Sequence, residues 1–361
     1  MLIQKTKPAI NSANLRILFM QNLKGLTSKE LANFFTEIKE PKYRSKQIAQ
    51  WIYVRGVNDF EKMTDFSKSL RQKLKDMAYI STLPIIKKQV SNIDATTKYL
   101  FETKDKQLIE SVLIPESPRN TICISSQAGC KLHCSFCLSG DGNFKRNLDT
   151  SEIIDQIMTV QQDIGQDNRI SNVVFMGMGE PLLNYNNVVK AIQIIKANYG
   201  LAIGARKITV STAGIAPEIY KLANEKLNNR LAISLNAATD KKRSEIMPIN
   251  DKYPLKELMK AASAYAKTAS RKITLEYVMI KDFNDTLKDA YELIKLIKDL
   301  SCKINLIPYN ENPFKPYQQP AENTLKMFID ILTPHCFSVT TRHSKGKDIL
   351  AACGQLRGQY K

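Results

Sequence analysis

The sequence has few acidic residues, few glycines and prolines, and no long apolar run, and each shortage excludes a class of protein. Its 361 residues include only 14 glycines and 14 prolines, too few for a collagen-like or disordered chain. No stretch approaches the roughly 18 apolar residues that a membrane span requires, so we expect no membrane partner. The seven cysteines, three of them within eight residues, do not resemble a secreted disulfide framework. We therefore expect a globular protein in a reducing compartment.

Acidic residues are outnumbered, with 35 Asp and Glu against 53 Lys and Arg, which gives a formal charge of +18. Such an excess favours a polyanionic partner, because each neutralised phosphate releases counterions. The first 29 residues contain no acid but do contain Lys5, Lys7 and Arg16, a composition that transit peptides share. Because no secretory apolar region accompanies it, a cytoplasmic location is the default expectation.

Hydrophobic periodicity divides the chain into four parts. Residues 1–84 predict a small helical domain, residues 85–115 a β linker, residues 116–345 a barrel and residues 346–361 a C-terminal tail. The polar faces of the N-terminal helices are strongly basic and form a candidate RNA-binding surface. The residues concerned are Lys42, Arg44, Lys46, Arg55, Lys62, Lys68, Arg71, Lys73 and Lys75.

After Pro118 the pattern alternates between strand and helix. The predicted strands are Thr121–Ser125, Asn172–Met176, Lys207–Ser211, Leu231–Leu235, Ile273–Met279, Ile304–Pro308 and Phe337–Thr341. Parallel neighbours need a crossover connection, so this alternation predicts an α/β fold with a parallel sheet and helices outside it. Six strand–helix units are too few for a closed eight-unit barrel. They suit a partly open (βα)6 barrel whose ligands lie at the carboxyl ends of the strands.

A group of three cysteines follows the first barrel strand. Cys130, Cys134 and Cys137 are spaced as C-x3-C-x2-C. Three thiolates on one tight loop can hold three irons of a [4Fe-4S] cluster and leave the fourth iron free to bind a substrate. Structural zinc is the alternative, with His133 or a distant cysteine as the fourth ligand. His133 is adjacent to Cys134 and poorly placed to join the same tetrahedron, which favours iron and sulfur.

The cysteine spacing, on a loop after the first strand of a six-unit barrel, resembles that of the radical S-adenosylmethionine (SAM) superfamily. The resemblance implies a partial (βα)6 barrel, a [4Fe-4S] cluster and a SAM molecule whose amino and carboxylate groups chelate the open iron. One electron from the reduced cluster then cleaves SAM and releases a 5′-deoxyadenosyl radical. An electron donor such as a flavodoxin is therefore expected.

Longer blocks narrow the resemblance to the dual-specificity RNA adenine-C2 methyltransferases of this superfamily. The blocks are Thr121–Cys130, Phe175–Asn184, Leu231–Asn236, Arg243–Asn250, Asn305–Asn310 and Asp348–Leu356. The resemblance covers nearly the whole chain. It implies methylation of C2 of adenine in 23S ribosomal RNA, at the peptidyl-transferase centre, and in the anticodon loop of transfer RNA. We expect the enzyme to be a monomer.

The same resemblance assigns SAM contacts to residues at or just past predicted strand ends. They are Gly179, Glu180, Ser211, Ser234, Leu235, Asn236 and Asn310. A glycine at position 179 lets the backbone approach a ligand closely, and the Glu180 carboxylate can accept hydrogen bonds from an ammonium group. Asn236 stands where the family commonly has a histidine, although an amide can still donate and accept hydrogen bonds.

Three further residues carry the chemistry that the resemblance implies. Cys353 matches the cysteine that one SAM methylates; a second SAM supplies the radical that removes hydrogen from this S-methyl group, and the resulting methylene radical adds to C2. Cys123 matches the cysteine that resolves the adduct by forming a disulfide with the methyl carrier. Glu110 matches the carboxylate that accepts the proton from C2.

Two other functions remain open from the sequence. One is C8 methylation of the same ribosomal adenine, which an antibiotic-resistance branch of the family performs. The other is a non-catalytic, zinc-stabilised RNA-binding protein. The loop Leu138–Leu148 also departs from the family's usual Ala-Thr-Gly start, which changes no cluster ligand but allows different substrate contacts.

Overall fold

The computed structural model describes residues 20–141, 144–165 and 167–358. Lys5, Lys7 and Arg16 of the acid-free start lie outside the described residues. So do residues 142–143 of the divergent loop and residues 359–361 of the tail. None of the helices in these ranges combines the length and the apolar character that crossing a membrane takes.

The N-terminal region is helical, as its apolar periodicity predicts. It contains β1 (Gln21–Asn22), α1 (Ser28–Glu37), α2 (Arg44–Ala49) with a π-helical continuation (Gln50–Val54), α3 (Lys68–Met77) and β2 (Ala78–Tyr79). Thr27 begins α1 with a capping box, because its side chain accepts from the Glu30 amide while Glu30 accepts from the Thr27 amide. Leu31 and Phe35 of α1 are completely buried and join the hydrophobic core.

Buried polar contacts fix this helical region against the barrel. Lys24 forms an ion pair with Asp155, and both side chains are almost fully buried. Asp155 also accepts a hydrogen bond from Ser81 Oγ at 2.9 Å. Farther along, a second pair is partly exposed, with Lys190 Nζ 2.7 Å from Glu30 Oε1. Breaking a buried pair leaves an uncompensated charge at a cost of roughly 3–5 kcal/mol, so the two regions are held in one arrangement.

The linker is continuous with the barrel sheet rather than a separate β unit. It consists of β3 (Ile85–Val90), β4 (Thr97–Glu102) and β5 (Leu108–Glu116), which are antiparallel neighbours. The last of these pairs with the first barrel strand, β6 (Arg119–Cys123), and places Val112 opposite Cys123. Because the β5–β6 connection is short, the two strands form a hairpin, and the three linker strands extend one ten-stranded sheet.

The barrel is a parallel sheet that does not close among the described residues. After β6 come two short strands that pair antiparallel, β7 (Gln127–Ala128) and β8 (Arg146–Asn147), with the cysteine loop between them. They are followed by β9 (Asn172–Phe175), β10 (Ile208–Thr212), β11 (Arg230–Ser234), β12 (Ile273–Met279), β13 (Cys302–Pro308) and β14 (Ser338–Thr341). Strands β6 and β9 to β14 are parallel and lie side by side in chain order. The sheet ends at β14 on one side and at β3 on the other, which confirms the predicted partial barrel.

Helices connect the parallel strands and cover the sheet. They are α4 (Leu138–Asp141), α5 (Thr150–Ile164), α6 (Tyr185–Lys196), α7 (Ala216–Asn224), α8 (Asp240–Ile246), α9 (Ile249–Lys252), α10 (Leu255–Thr268), α11 (Leu287–Ile297) and α12 (Glu322–Leu332). Each crossover between neighbouring parallel strands contains at least one of them, so six strand–helix units precede the final strand. This arrangement leaves the carboxyl ends of the strands open at one end of the barrel.

Candidate active site

The three cysteines of the motif line one pocket at the mouth of the barrel. Cys137 N donates to Cys134 O at 3.0 Å, which keeps their loop tight. Burial raises the pKa of all three thiols, that of Cys130 to about 12, and neighbouring thiolates raise the pKa of Cys130 and Cys134 further. Since metal ligation requires thiolates, a cationic centre must stabilise these three charges when they form together.

The donor set fits an iron–sulfur cluster better than a single ion. No three His, Cys, Asp or Glu side chains within residues 20–141, 144–165 and 167–358 converge as the ligands of one metal ion would. His133 is occupied within the loop, where its Nδ1 lies 3.0 Å from Gly140 O. In a cluster each thiolate binds a different iron, so the sulfurs stand farther apart than the ligands of one zinc ion.

The pocket beside the cysteines has a volume of about 160 Å³ and is walled by the carboxyl ends of the barrel strands. Six of the seven residues predicted to contact SAM line it: Gly179, Glu180, Ser211, Ser234, Asn236 and Asn310. Leu235 does not, because its side chain is fully buried in the core. Its backbone N–H donates to Glu276 O at 2.8 Å and is therefore committed to the protein.

The turn after β9 holds Glu180 in a fixed position. Gly179 has a φ of +96°, and a Cβ there would come within 2.5 Å of the Gln127 side chain, so only glycine is accommodated. The Glu180 carboxylate is buried and accepts hydrogen bonds from Leu182 N at 3.0 Å and Ala213 N at 2.7 Å. Burial raises its pKa. The carboxylate thus ties β9 to β10 while facing the pocket.

The two asparagines of the pocket differ in what they offer a ligand. Asn236 uses both ends of its amide within the protein: Oδ1 accepts from Val278 N at 2.9 Å and Nδ2 lies 3.2 Å from the Met247 sulfur. Asn310 Nδ2 donates to the backbone oxygen of Cys353 at 3.1 Å, but its buried Oδ1 has no hydrogen-bond partner among residues 20–141, 144–165 and 167–358. An unpaired buried acceptor costs about 1–3 kcal/mol, so Asn310 points to a ligand that donates a hydrogen bond.

A second cavity, of about 210 Å³, lies on the other side of Cys353. Cys123, Met176 and Arg342 line it, and the half-buried Cys353 is a wall of both cavities. Neither Cys123 nor Cys353 is paired in a disulfide. Burial, and after it the charge that Cys353 can carry, raise the pKa of Cys123 to about 12, so Cys123 is a thiol at neutral pH.

Glu110 lines neither cavity and instead binds the C-terminal tail. Its side chain is buried, and Oε2 accepts hydrogen bonds from Arg357 N at 2.7 Å and Gly358 N at 2.9 Å. Lys98 Nζ lies 3.4 Å from the other carboxylate oxygen. The carboxylate predicted to accept a proton therefore anchors the backbone that follows Cys353.

The tail is also fastened to the cysteine loop. Leu138 N donates to Gly354 O at 2.7 Å, and Ser139 Oγ donates to Leu356 O at 2.7 Å. Together with the bond from Asn310 to Cys353, these contacts place the tail across the barrel mouth. The sequence places Cys353 in a tail but carries no signal for these main-chain partners.

Arg243 is a structural residue of the site that sequence reasoning missed. It is completely buried, and its guanidinium donates to the backbone oxygens of Ala213, Ser234 and Leu235 and to Asn250 Oδ1. No carboxylate of the described chain forms an ion pair with it, and burial lowers its pKa to about 10. Arg243 thereby joins the carboxyl ends of β10 and β11 behind the pocket. The only sequence signal was its place in the block Arg243–Asn250.

Known protein families match both the helical N-terminal region and most of the barrel that carries this site. The family model of the ribosomal RNA large subunit methyltransferase N-terminal domain matches residues 21–80, and that of the radical SAM superfamily matches residues 124–295. A crystal structure of a radical SAM methyltransferase from Sphaerobacter thermophilus superposes with a TM-score of 0.88 and 38% identity. The match covers 94% of this chain and 100% of that one.

Two relatives are similar to this chain over nearly its whole length. A probable dual-specificity RNA methyltransferase RlmN from Thermoanaerobacter sp. (strain X514) is 48% identical over 94% of this chain and 99% of its own length. The dual-specificity RNA methyltransferase RlmN of Geobacter sulfurreducens is 47% identical over 94% of this chain and 93% of its own. The chain therefore belongs to the RlmN family of dual-specificity RNA methyltransferases, within the radical SAM superfamily, and is an enzyme that acts on RNA.

Proposed function

We propose that the protein methylates C2 of adenine in 23S ribosomal RNA and in the anticodon loop of transfer RNA, with an S-methyl group on Cys353 as the intermediate. The observation that carries this proposal is the position of Cys353 in the walls of two cavities. A residue that takes a methyl group from one molecule and gives it to another must reach both. One cavity contains the cysteine motif, and the other contains the second thiol, Cys123.

The first cavity supplies the residues for the cofactors. Cys130, Cys134 and Cys137 would hold a [4Fe-4S] cluster, and the six pocket-lining residues, with the unpaired Asn310 Oδ1, would hold SAM. When bound, these groups supply a 5′-deoxyadenosyl radical, which the reaction needs because the electron-poor C2 of adenine cannot displace a methyl group as a nucleophile. Leu235 would act only through its backbone, which positions the strand end.

The second cavity supplies the residues for the RNA base. Cys353 would accept the methyl group from one SAM and carry it to the base, which must leave its stack to enter so small a space. Release requires the adduct to lose the C2 proton and one electron, which a cluster held by Cys130, Cys134 and Cys137 would take up. The Cys123 thiol would then attack the Cys353 sulfur, so that the bond from this sulfur to the methylene carbon breaks, the thiol proton passes to that carbon to complete the methyl group, and a disulfide joins the two cysteines. Glu110 would take the proton from C2 after its carboxylate is freed from Arg357 and Gly358.

The test is digestion of RNA that has been treated anaerobically with the reconstituted enzyme, SAM and a reductant, followed by nucleoside mass spectrometry. We expect 2-methyladenosine; 8-methyladenosine would favour C8 methylation, and no methylated adenosine would refute both. C353A should transfer no methyl group, and C123A should accumulate a covalent protein–RNA adduct. C336A is the matched control, since the Cys336 sulfur lies 3.1 Å from Leu332 O and lines neither cavity.

We also propose that the chain is divided into an N-terminal domain (1–84), a β linker (85–115), a barrel (116–345) and a tail (346–361). The N-terminal domain would bind RNA through its basic face. Several basic side chains are engaged within the protein: Arg71 and Lys75 pair with Glu61, Lys73 with Glu40, and Arg44 donates to Gln47. Lys42 and Lys46 are exposed and have no ion pair in the described chain. K42A/K46A should therefore weaken RNA binding and lower its salt dependence; an unchanged salt slope would remove this surface from the proposal.

The remaining partners and the location also stay proposals. We propose that the enzyme works as a cytoplasmic monomer and that a flavodoxin-like protein delivers its electrons. Size-exclusion chromatography with light scattering tests the first part, because a dimer would give twice the mass of 40.9 kDa. SAM cleavage with and without a reduced flavodoxin tests the second part.

A further inference from the structure

The rim of the second cavity is built from four consecutive polar residues. Residues 342–345 follow β14 directly, at the carboxyl end of the last barrel strand, and all four line the cavity. Two of them, Arg342 and Lys345, are cationic, whereas the neighbouring walls include the apolar side chains of Val112, Ile114 and Met176. A small cavity that combines apolar walls with a positive rim is complementary to a nucleotide, which has an aromatic base and an anionic phosphate.

The Arg342 guanidinium is held in place but retains unused donors. Its backbone N–H donates to Leu306 O at 2.9 Å, which fixes the start of the segment to β13. Its Nη1 lies 3.8 Å from Glu276 Oε1 and 3.4 Å from the Met176 sulfur, and neither contact is a strong hydrogen bond. The side chain is 30% exposed. A planar fork of N–H donors in this state suits a bidentate phosphate contact.

The other charged groups of the cavity leave a positive balance at the rim. Lys345 is half-buried and its side chain forms no ion pair in the part of the chain that is described. Glu116 lines the cavity, but its carboxylate lies 3.3 Å from Arg119 and is partly neutralised. Glu276 faces the first cavity, where Ser211 Oγ donates to it at 3.2 Å. Within the described part of the chain, the rim cations that can meet an anion are thus Lys345, which has no ion pair, and Arg342, whose ion pair with Glu276 is long at 3.8 Å.

We propose that Arg342 and Lys345 bind a backbone phosphate of the RNA next to the adenine that enters the second cavity. The proposal rests on the proposed function, because it takes RNA as the molecule that reaches Cys353. It adds a positioning role: the phosphate contact sets how far the nucleotide enters, and so where the base lies relative to Cys123 and Cys353. Sequence reasoning gave these two residues no role.

The test measures RNA binding without turnover. R342Q, R342K and K345Q are titrated with an RNA hairpin that carries one loop adenine, by fluorescence anisotropy over a range of KCl concentrations. Each substitution removes one of two cations from the shared phosphate, so the slope of log K against log [salt] should fall by up to about 0.7–0.9 in R342Q and in K345Q. R342K keeps the charge but loses the fork, so its slope should stay near that of the wild type while its affinity falls.

A second RNA tests the same contact by removing the charge of the phosphate instead of the charge of the protein. In a hairpin with a neutral methylphosphonate linkage beside the loop adenine, R342Q should cost little further affinity, because the partner charge is already absent. R206Q is the matched control, since Arg206 is exposed without an ion pair in the described chain and precedes β10, at the end of the barrel opposite the mouth. Its slope should fall by less than that of R342Q.

Two results would overturn the inference. One is an unchanged slope in both R342Q and K345Q; the other is full additivity of R342Q with the methylphosphonate RNA. Failure of the proposed function is a separate outcome. A wild-type enzyme that binds the hairpin but forms no 2-methyladenosine would refute the proposed function, whereas the salt slopes of R342Q and K345Q would still decide whether the phosphate contact exists. If R342Q misfolds, as judged by circular dichroism, K345Q alone decides.

Discussion

Replacing Glu110 by glutamine should loosen the tail that carries Cys353. The carboxylate accepts two backbone hydrogen bonds, from Arg357 and Gly358, on the same oxygen. Its other oxygen faces the Lys98 ammonium at 3.4 Å. A glutamine that kept its carbonyl toward the tail would turn its NH2 group toward Lys98, where two donors would meet. Both the tail contacts and the contact with Lys98 therefore weaken together.

The size of the effect follows from the kind of bond that is lost. Hydrogen bonds to a charged group contribute about 1.5–3 kcal/mol each, and neutral ones about 0.5–1.5 kcal/mol. The difference is about 1 kcal/mol for each bond. With two bonds, the substitution should raise the free energy of the docked tail relative to the undocked tail by about 2 kcal/mol. Since 1.4 kcal/mol is a factor of ten, the undocked population should rise roughly 30-fold.

Hydrogen exchange at the amides of Arg357 and Gly358 measures that population directly. In E110Q both amides should exchange roughly 30-fold faster than in the wild-type protein, while core strand amides remain unchanged. E102Q is the control, because Glu102 lies on the neighbouring strand and pairs with Lys106 rather than with the tail. Unchanged protection of the two tail amides in E110Q would refute the reasoning, whatever happens to methylation.

Three further predictions concern the residues around the cavities. R243M should lower the free energy of unfolding of the cluster-free protein by about 3–5 kcal/mol, because it leaves several buried acceptors without a donor; a loss below 1 kcal/mol in urea unfolding would contradict this. N310L should raise the Kd for SAM about tenfold in equilibrium dialysis, since the buried Oδ1 would no longer accept a hydrogen bond. Burial raises the pKa of Cys123 to about 12, so its thiolate fraction should rise tenfold per pH unit between pH 7 and 9.5. The rate at which iodoacetamide alkylates Cys123 in C353A should rise in the same proportion. A rate that levels off above about pH 8.5 would show an ordinary thiol.

Local patterns explain what the sequence predicted well. The barrel strands are short runs of β-rich residues bounded by turns, and the ends of all seven predicted strands lie within two residues of the observed ends. The cysteine spacing needs only one loop, and the strand-end residues converge because parallel strands share one carboxyl edge. Six of the seven predicted SAM contacts therefore line one pocket without any long-range information.

Strand pairing, side-chain orientation and long-range contacts explain what the sequence did not show. The pairing of β5 with β6 makes the linker part of the main sheet, and pairing leaves no mark in the apolar pattern of either strand. Leu235 lies at a strand end but faces the core, since alternate residues point to opposite faces. Glu110 contacts backbone amides more than 240 residues away, and amides have no residue type to recognise.

Arg342 is the case that a simple rule would have found. It comes directly after the last predicted strand, Phe337–Thr341, just as Asn236 and Asn310 come after the ends of their own strands. The family resemblance assigns roles to these two asparagines, whereas Arg342 lies in none of the blocks that carry that resemblance. A cationic residue just past a barrel strand is worth testing as a ligand contact even when no motif includes it.

The buried pair of Lys24 and Asp155 bears on how a large RNA would be recognised. Because it ties the segment before α1 to α5, it helps to fix the spacing between the basic face of the N-terminal region and the barrel mouth. If the RNA contacts proposed above are made together, this spacing would favour RNA folds that present an adenine at a matching distance from the phosphates that the basic face binds. Two RNAs of unrelated sequence would then both be substrates if their folds shared this distance.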